Sequence, residues 1–263
     1  MRFYILSSTL TILKSVILIC LLALPAIPVS AGHNDPSQAT FVLVHGATGG
    51  GWDWRTMESI LVERGHKVHR ITLTGLGERA HLSSPKINLT THIMDVVNTV
   101  IYDELDEIIL VGHSYGGIVV TGVMNSIPNK VKHAVFLDAA VPNHGMSFKD
   151  LWPDDRDLKI KDGIVYFPWL IKNSNPPHDV PQSLATLTEP VSFDNDQAIK
   201  LPATYVAFVS NPTIREIREK TDPSWKNAKA RGWPIQILQS DHNAQRSHPV
   251  KLADLLEQIV STN

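Results

Sequence analysis

The sequence predicts an α/β protein in which helices cover both faces of a parallel β-sheet. Three observations predict this class. Short apolar runs alternate along the chain with segments of helical periodicity. The first run, 41–44, is wholly apolar, as in a strand that is buried on both faces. The 263 residues, 43% of them hydrophobic, are enough for a large buried core.

Six of the apolar runs have the length and composition of strands. Helical segments separate them, so consecutive strands are expected to run in the same direction. The sequence therefore predicts a six-stranded, mostly parallel sheet. The predicted strands are 41–44, 66–73, 107–111, 132–137, 203–209 and 235–239.

The segments between the strands show the spacing of amphipathic helices. Ile93, Val96, Val97, Val100 and Ile101 fall on one helical face. Three further helices are predicted at 54–64 before Gly65, at 116–126 before Pro128, and at the C-terminus around Leu252, Leu255, Leu256, Ile259 and Val260.

Residues from about 144 to 202 break this alternation. Charges, prolines and aromatic residues are mixed there without a clear period. A segment of this length inside a compact domain is usually functional. We therefore expect it to form a cap over a site.

The N-terminus has the pattern of a secretory signal. Arg2 and Lys14 precede an apolar run over 15–27, and Val29-Ser30-Ala31 resembles a cleavage site. The alternative is an uncleaved membrane anchor, but a spanning helix needs about 20 apolar residues. The pattern predicts cleavage after residue 31, a domain over 32–263 without a stable membrane anchor, and a secreted or periplasmic location.

Charge and cysteine content exclude several classes of function. The chain has 24 Lys and Arg against 26 Asp and Glu, so it lacks the basic excess typical of nucleic-acid binding. Its single cysteine lies in the signal segment, and the histidines are scattered without an H-E-x-x-H pattern. The glycines at 75–77 imitate a dinucleotide fingerprint, but no periodic helix follows promptly. We expect no metal and no cofactor.

A candidate nucleophile lies in the segment Gly112-His113-Ser114-Tyr115-Gly116. This G-x-S-x-G pattern follows a predicted strand and precedes a predicted helix, which is the context of a nucleophile elbow. A glycine-rich turn is the alternative. The pattern favours Ser114 as a nucleophile at the carboxyl edge of the sheet.

A serine nucleophile needs a base and two backbone donors. Of the twelve histidines, His242 and His248 follow the last predicted strand, and His242 follows it directly. We favour His242 as the base and interpret His248 as a residue that begins the final helix. The backbone N–H groups of Tyr115 and Ala47 are the candidate oxyanion hole. His45 and His113 are interpreted as structural.

Together these motifs resemble the α/β-hydrolase superfamily, and more narrowly the small bacterial esterases related to plant methyl-salicylate esterases and hydroxynitrile lyases. The segments that carry the resemblance are FVLVHGA (41–47), GWDW (51–54), TLTGLGER (72–79), GHSYGG (112–117) and LDAAVP (137–142). The resemblance implies a mostly helical cap and hydrolysis of small-molecule carboxylic esters without a cofactor. It also suggests that the cap residues Trp152, Tyr166, Phe167 and Trp169 either line the substrate site or pack the cap onto the core.

The acid of the triad departs from these relatives, which place it after the strand that corresponds to 203–209. Asn211 stands there, and an amide has no charge to stabilise an imidazolium. Asp138, directly after the strand 132–137, is the favoured acid. Asp241, beside the proposed base, is the weaker candidate because adjacent side chains seldom point the same way.

Three other functions compete with ester hydrolysis. The lyases carry a threonine where this chain has Gly46 and a lysine where it has Asn243, so lyase activity is disfavoured. A non-catalytic small-molecule-binding homologue is a second alternative, and hydrolysis of a lactone or amide by the same triad is a third.

Overall fold

A computed structural model describes residues 38–152, 158–172 and 174–262. The proposed signal segment and its cleavage site lie outside these residues. The described strands are β1 (Thr40–Val44), β2 (Lys67–Ile71), β3 (Ile108–His113), β4 (Val131–Leu137), β5 (Lys159–Lys161), β6 (Ile164–Tyr166), β7 (Gln182–Ser183), β8 (Ala203–Val209) and β9 (Ile235–Gln239).

The helices of the described residues alternate with these strands, and short 3-10 turns accompany them. They are α1 (Arg55–Glu63), α2 (Leu89–Tyr102), α3 (Gly116–Ser126), α4 (Phe148–Leu151), α5 (Ala185–Thr188), α6 (Asp196–Ile199), α7 (Pro212–Thr221), α8 (Pro223–Ala230), α9 (Ala244–Ser247) and α10 (Pro249–Ser261). Within the described part of the chain, no helix combines the length and the apolar composition of a membrane span.

The main sheet has six strands in the order β2-β1-β3-β4-β8-β9, and every neighbouring pair is parallel. The predicted six-stranded α/β architecture is therefore confirmed. The third strand runs two residues further than predicted, to His113, so Ser114 follows the strand directly.

Each central strand contributes to two hydrophobic clusters because successive side chains point to opposite faces. Phe41 and Leu43 of β1 pack with Trp54 of the segment before α1 and with Leu252 of α10. The other face is covered by α2 and α3, whose apolar residues pack with the alternate residues of the strands. Burial on both faces explains why the strands β1, β3 and β8 are predominantly apolar.

The cap between β4 and β8 differs from the expected, mostly helical one. Its described residues form the four-residue helices α4, α5 and α6 and a three-stranded antiparallel sheet of β5, β6 and β7. Asp162 and Gly163 join β5 to β6, and both have positive φ, 51° and 75°. An Asp-Gly pair with this geometry is typical of a tight hairpin, which is why the segment does not form a helix.

Candidate active site

Ser114 lies on a tight turn between β3 and α3. Its φ is 53°, a strained value for a residue with a side chain. A Cβ on Gly116 would lie 2.8 Å from the carbonyl oxygens of Val44 and His45, and one on Gly112 would lie 2.8 Å from that of Gly116. The two glycines are therefore what allows the chain to pass closely enough to present Ser114 at the edge of the sheet.

Asp138 and His242 meet at the same edge of the sheet. Asp138 follows β4 directly, and His242 lies on the loop after β9. The distance from Asp138 Oδ2 to His242 Nδ1 is 2.6 Å, and the aspartate side chain is 8% exposed. Since Nδ1 is occupied by this hydrogen bond, Nε2 is the ring atom left for Ser114, which lines the same cavity.

Asp138 lies where its charged form is favoured. Burial by itself raises the pKa of this carboxyl group. The hydrogen bond and charge of His242, together with those of Arg218, outweigh burial and hold the pKa of Asp138 below its ordinary value. The group is therefore a carboxylate at neutral pH, able to hold an imidazolium.

The histidine before Ser114 supports the loop that carries His242. His113 Nε2 lies 2.7 Å from the carbonyl oxygen of His242, so it is protonated and donates, and Gln245 Nε2 lies 3.5 Å from His113 Nδ1. Burial lowers the pKa of His113 to about 3. His113 is therefore a neutral, fixed support, as its structural interpretation requires.

His45 supports the loop after β1 in a similar way. Its Nε2 accepts the backbone N–H of Leu73 at 3.1 Å, so Nδ1 is protonated and donates to the carbonyl of Gly46 at 2.7 Å. Burial lowers the pKa of His45 to about 4. The ring fixes the backbone just before Ala47, which lines the cavity beside Ser114.

Tyr115, the second candidate oxyanion donor, is held by a buried histidine. Its hydroxyl donates to Nδ1 of His92 at 2.9 Å, while His92 Nε2 donates to the carbonyl of Thr74 at 2.9 Å. Burial raises the pKa of Tyr115 well above its ordinary range. The side chain is therefore anchored away from the cavity, and the backbone N–H of Tyr115 lies at the start of α3, where negative charge is favoured.

Thr48 joins the loop after β1 to the cap. Its hydroxyl accepts the indole N–H of Trp169 at 3.0 Å and lies 2.9 Å from Asp179 Oδ1. Its backbone N–H donates to Oε1 of Gln182 at 3.0 Å, and its carbonyl accepts the N–H of Val180 at 2.9 Å. Cap residues thus hold both the side chain and the backbone of Thr48, the residue that follows Ala47.

A cavity of about 590 Å³ lies above Ser114 and His242. Its apolar wall is formed by Phe148, Leu151, Trp152 and Trp169 of the cap. The structure thus places two of the four aromatic cap residues named from the sequence, Trp152 and Trp169, on the cavity.

The other two aromatic cap residues do not line the cavity. Phe167 is buried, and its ring centroid lies 6.1 Å from that of Trp152 and 4.5 Å from that of Trp169. Tyr166 is 43% exposed. Of the two alternatives for these residues, the position of Phe167 fits packing of the cap, and Tyr166 at the end of β6 is absent from the cavity lining.

The alternative site residues have structural roles. Asn211 accepts the N–H of Ile214 at 3.0 Å and so caps α7. Asp241 accepts from the backbone of Asn243 at 2.8 Å and from Ser247 at 3.0 Å. His248 precedes α10 and lies 3.0 Å from Ser240 Oγ, where its interpretation as a helix-start residue places it.

Several charged residues that line the cavity, among them Arg218 and Asp53, were not predicted from the sequence. Arg218 of α7 donates to Asp138, although 80 residues separate them, and no local pattern indicates this contact. Asp53 lines the cavity and forms an ion pair of 2.9 Å with Arg246. Burial raises the pKa of Asp53 to about 6, against the opposing charge of Arg246.

Among the residues that the structure describes, no group of three or more His, Cys, Asp or Glu side chains converges as a metal ion requires. The histidines near the cavity bond to backbone groups or to Asp138 instead.

The chain belongs to the α/β-hydrolase family, whose model matches residues 41–255. This confirms the family indicated by the motifs. Over 116 residues the chain is 52% identical to a carbendazim hydrolyzing esterase of Nocardioides sp. (strain SG-4G), covering 44% of this chain and 48% of that protein. It is 37% identical over 152 residues to a putative chloroplastic methylesterase of Arabidopsis thaliana, covering 55% and 37% of the two chains.

The chain spans about half or less of the length of these curated relatives. Among solved structures it is similar to an extracellular α/β-hydrolase from a Paenibacillus species. The TM-score is 0.65 with 20% identity, and the match covers 84% of this chain and 98% of the other. This likeness shows the common fold.

Proposed function

We propose that the protein is a serine carboxylesterase that hydrolyses small to medium carboxylic esters through an acyl-enzyme. The observation that carries this proposal is the 2.6 Å contact between Asp138 Oδ2 and His242 Nδ1 beside the strained turn of Ser114. A nucleophile, a base and an orienting carboxylate at one cavity are the groups that acyl transfer needs.

The first half of the reaction forms the acyl-enzyme. His242 accepts the proton of the Ser114 hydroxyl as its oxygen attacks the ester carbonyl. Asp138 holds the ring and stabilises the imidazolium. The backbone N–H groups of Ala47 and Tyr115 stabilise the oxyanion. The C–O bond to the alcohol then breaks, and His242 protonates the alcohol as it leaves.

The second half releases the acid. His242 accepts a proton from water, whose oxygen attacks the acyl carbon, and the bond to Ser114 Oγ breaks with return of the proton. The serine is regenerated and one water is consumed for each ester. No metal or redox group takes part in either half of the cycle.

The cavity supports this class of substrate. A volume of about 590 Å³ is within the usual range of small-molecule sites, and its cap wall is apolar. Relatives named as an esterase and a methylesterase support an ester as the substrate. Lactone or amide hydrolysis by the same groups is the second candidate, because the serine mechanism handles any of these acyl bonds.

Activity on p-nitrophenyl esters of increasing acyl length tests this function. The wild type should hydrolyse several of them, Ser114→Ala should lose the activity, and Ser126→Ala, a serine on α3 away from the cavity, should retain it. A serine-reactive organophosphonate should abolish turnover, whereas EDTA should leave it unchanged. Equal turnover by wild type and Ser114→Ala would overturn the proposal, and EDTA inactivation reversed by zinc would overturn its mechanism.

We also propose that residues 1–31 direct export and are removed. The proposal rests on the basic start, apolar run and small-residue site of this segment. N-terminal sequencing of exported protein should begin near Gly32. Exported protein that retains Met1 would contradict cleavage.

A further inference from the structure

The carboxylate of Asp138 is held by an arginine as well as by His242. Arg218 Nη1 donates to Asp138 Oδ1 and, at 2.7 Å, to the carbonyl of Phe208. Its Nη2 donates to Asp222 Oδ2 at 2.6 Å and to the hydroxyl of Tyr205 at 3.1 Å. The guanidinium therefore has a partner on each side and a fixed orientation.

The two oxygens of Asp138 have different partners. Oδ1 accepts from Arg218 and from the backbone N–H of Phe208 at 3.3 Å, while Oδ2 lies against His242. A carboxylate bound at both oxygens cannot rotate about its Cβ–Cγ bond without losing charge-assisted hydrogen bonds. The contact with Arg218 thus fixes the plane of the carboxylate that faces the imidazole.

We propose that Arg218 is a positioning residue for the ester hydrolysis proposed above. It acts by holding the carboxylate of Asp138 in the orientation that bonds to His242 Nδ1. This inference rests on the proposed function. Arg218 reaches Asp138 from α7, whose start is set by the Asn211 cap and by Pro212.

The net charge of Asp138, Asp222 and Arg218 is opposite to the charge that His242 gains during the reaction. Asp138 and Asp222 are two carboxylates and Arg218 is one guanidinium, which leaves one net negative charge next to His242. Protonation of the imidazole during acyl transfer neutralises that charge. Without Asp222, Arg218 would cancel the charge of Asp138 and repel the imidazolium, so both carboxylates are needed.

The groups that face Asp138 determine its response to pH. They are His242, Arg218, Tyr205 and the buried His113. Removal of the guanidinium charge should raise the pKa of Asp138, since burial then acts with less opposition. This change shifts the acid limb of the rate profile to higher pH.

The variants Arg218→Met and Arg218→Lys test the inference, with Arg215→Met as the matched control on α7. Arg215 is exposed and pairs with Glu219 at 3.0 Å. Rates are expressed per active site titrated with an organophosphonate, so that partial unfolding does not count as loss of catalysis. We expect Arg218→Met to lower kcat roughly 10- to 100-fold with KM changed less than about threefold. Arg218→Lys should recover part of kcat, and Arg215→Met should match the wild type.

Two further measurements separate positioning from a purely structural role. The acid limb of kcat/KM should move to higher pH in Arg218→Met and not in Arg215→Met. The downfield proton NMR signal of the His242 Nδ1–H bond should shift or disappear in Arg218→Met, a readout that requires no substrate. Arg218→Lys keeps the positive charge and loses the paired N–H donors of the guanidinium. The same measurements on this variant test the inference if Arg218→Met does not fold.

The outcomes distinguish this inference from the proposed function. Serine-dependent turnover in the wild type with unchanged kcat, pH profile and NMR signal in both Arg218 variants overturns the role of Arg218 and leaves the esterase proposal standing. Absence of Ser114-dependent turnover in the wild type overturns both.

Discussion

The imidazole Nε2 of His113 lies 2.7 Å from the backbone carbonyl oxygen of His242. The residue just before the proposed nucleophile therefore holds the backbone of the proposed base, although 129 positions separate the two residues. The rings lie close as well, with centroids 4.7 Å apart. Because burial keeps His113 neutral, this link persists throughout the pH range in which an imidazole base works.

Replacement of His113 should reduce catalysis as well as stability. His113→Phe keeps a buried ring and leaves the carbonyl of His242 without its donor. The matched control is His133→Phe, a buried histidine on β4 that bonds Thr204 at 2.9 Å. Each variant should lose about 1–3 kcal/mol of unfolding free energy. We expect kcat per titrated active site to fall in His113→Phe alone, and equal kcat in the two variants would contradict the link.

Substitution of Asp138 distinguishes it from the other candidate acids. Asp138→Asn should lower kcat by up to ~10⁴-fold, because an amide neither carries the charge nor selects the required tautomer. Asn211→Ala removes the cap of α7 and Asp241→Asn alters a turn, so both should retain kcat within a few-fold while losing some stability. Circular dichroism checks that each variant folds. The assignment is wrong if Asp138→Asn keeps its kcat and another variant loses it.

Substitutions of the aromatic cap residues should affect kcat and KM only where the residue lines the cavity. Trp169→Phe keeps an apolar wall and removes the donor to Thr48, so kcat should fall more than KM rises. Trp169→Ala should raise KM as well, since it removes the wall of the cavity. Tyr166→Ala should behave as the wild type because Tyr166 is not part of the cavity lining. A KM effect in Tyr166→Ala equal to that of Trp169→Ala would show that the hairpin contacts substrate.

Stability should decrease as the solution is acidified from about pH 6.5 to pH 4. Burial lowers the pKa of His45, His92 and His133 from 6.5 to about 4, so the unfolded chain binds more protons than the folded one in this interval. Each such histidine should contribute ~1.4 kcal/mol per pH unit to the slope of the unfolding free energy.

Urea unfolding at several pH values measures this slope. His133→Phe should reduce the slope by the share of one histidine. Thr204→Val removes the partner of His133 and retains the titrating ring, so it should lower stability without reducing the slope. An unchanged slope in His133→Phe would show that this histidine is protonated alike in the folded and unfolded states.

The parts of the fold and site that could be predicted from the sequence are those that depend on a local pattern of neighbouring residues. Ser114 and Asp138 each come directly after an apolar strand, so their place at the edge of the sheet is set by local pattern. The strands β8 and β9 have the predicted bounds because the apolar pattern of each strand ends at polar residues.

The parts that were not predicted depend on contacts between distant residues or on weak patterns. α7 is short and highly charged and has no buried residue, so no core-facing pattern predicts it, yet it supplies Arg218. The β5–β6 hairpin is short, and its Asp162-Gly163 signal is hidden among charged residues. Which aromatic cap residues line the cavity depends on how the cap folds onto the core, so the sequence left lining and packing as alternatives for Tyr166 and Trp169 alike.

The bonds of Thr48 mean that recognition and catalysis are not separate modules in this protein. Trp169 and Gln182 of the cap hold a residue whose neighbour, Ala47, supplies a proposed oxyanion donor. A cap exchanged for one from another member of the family would therefore change the rate of acyl transfer along with the choice of ester. Engineering for new substrates should accordingly keep the positions that contact Thr48 and vary the wall formed by Phe148, Leu151 and Trp152.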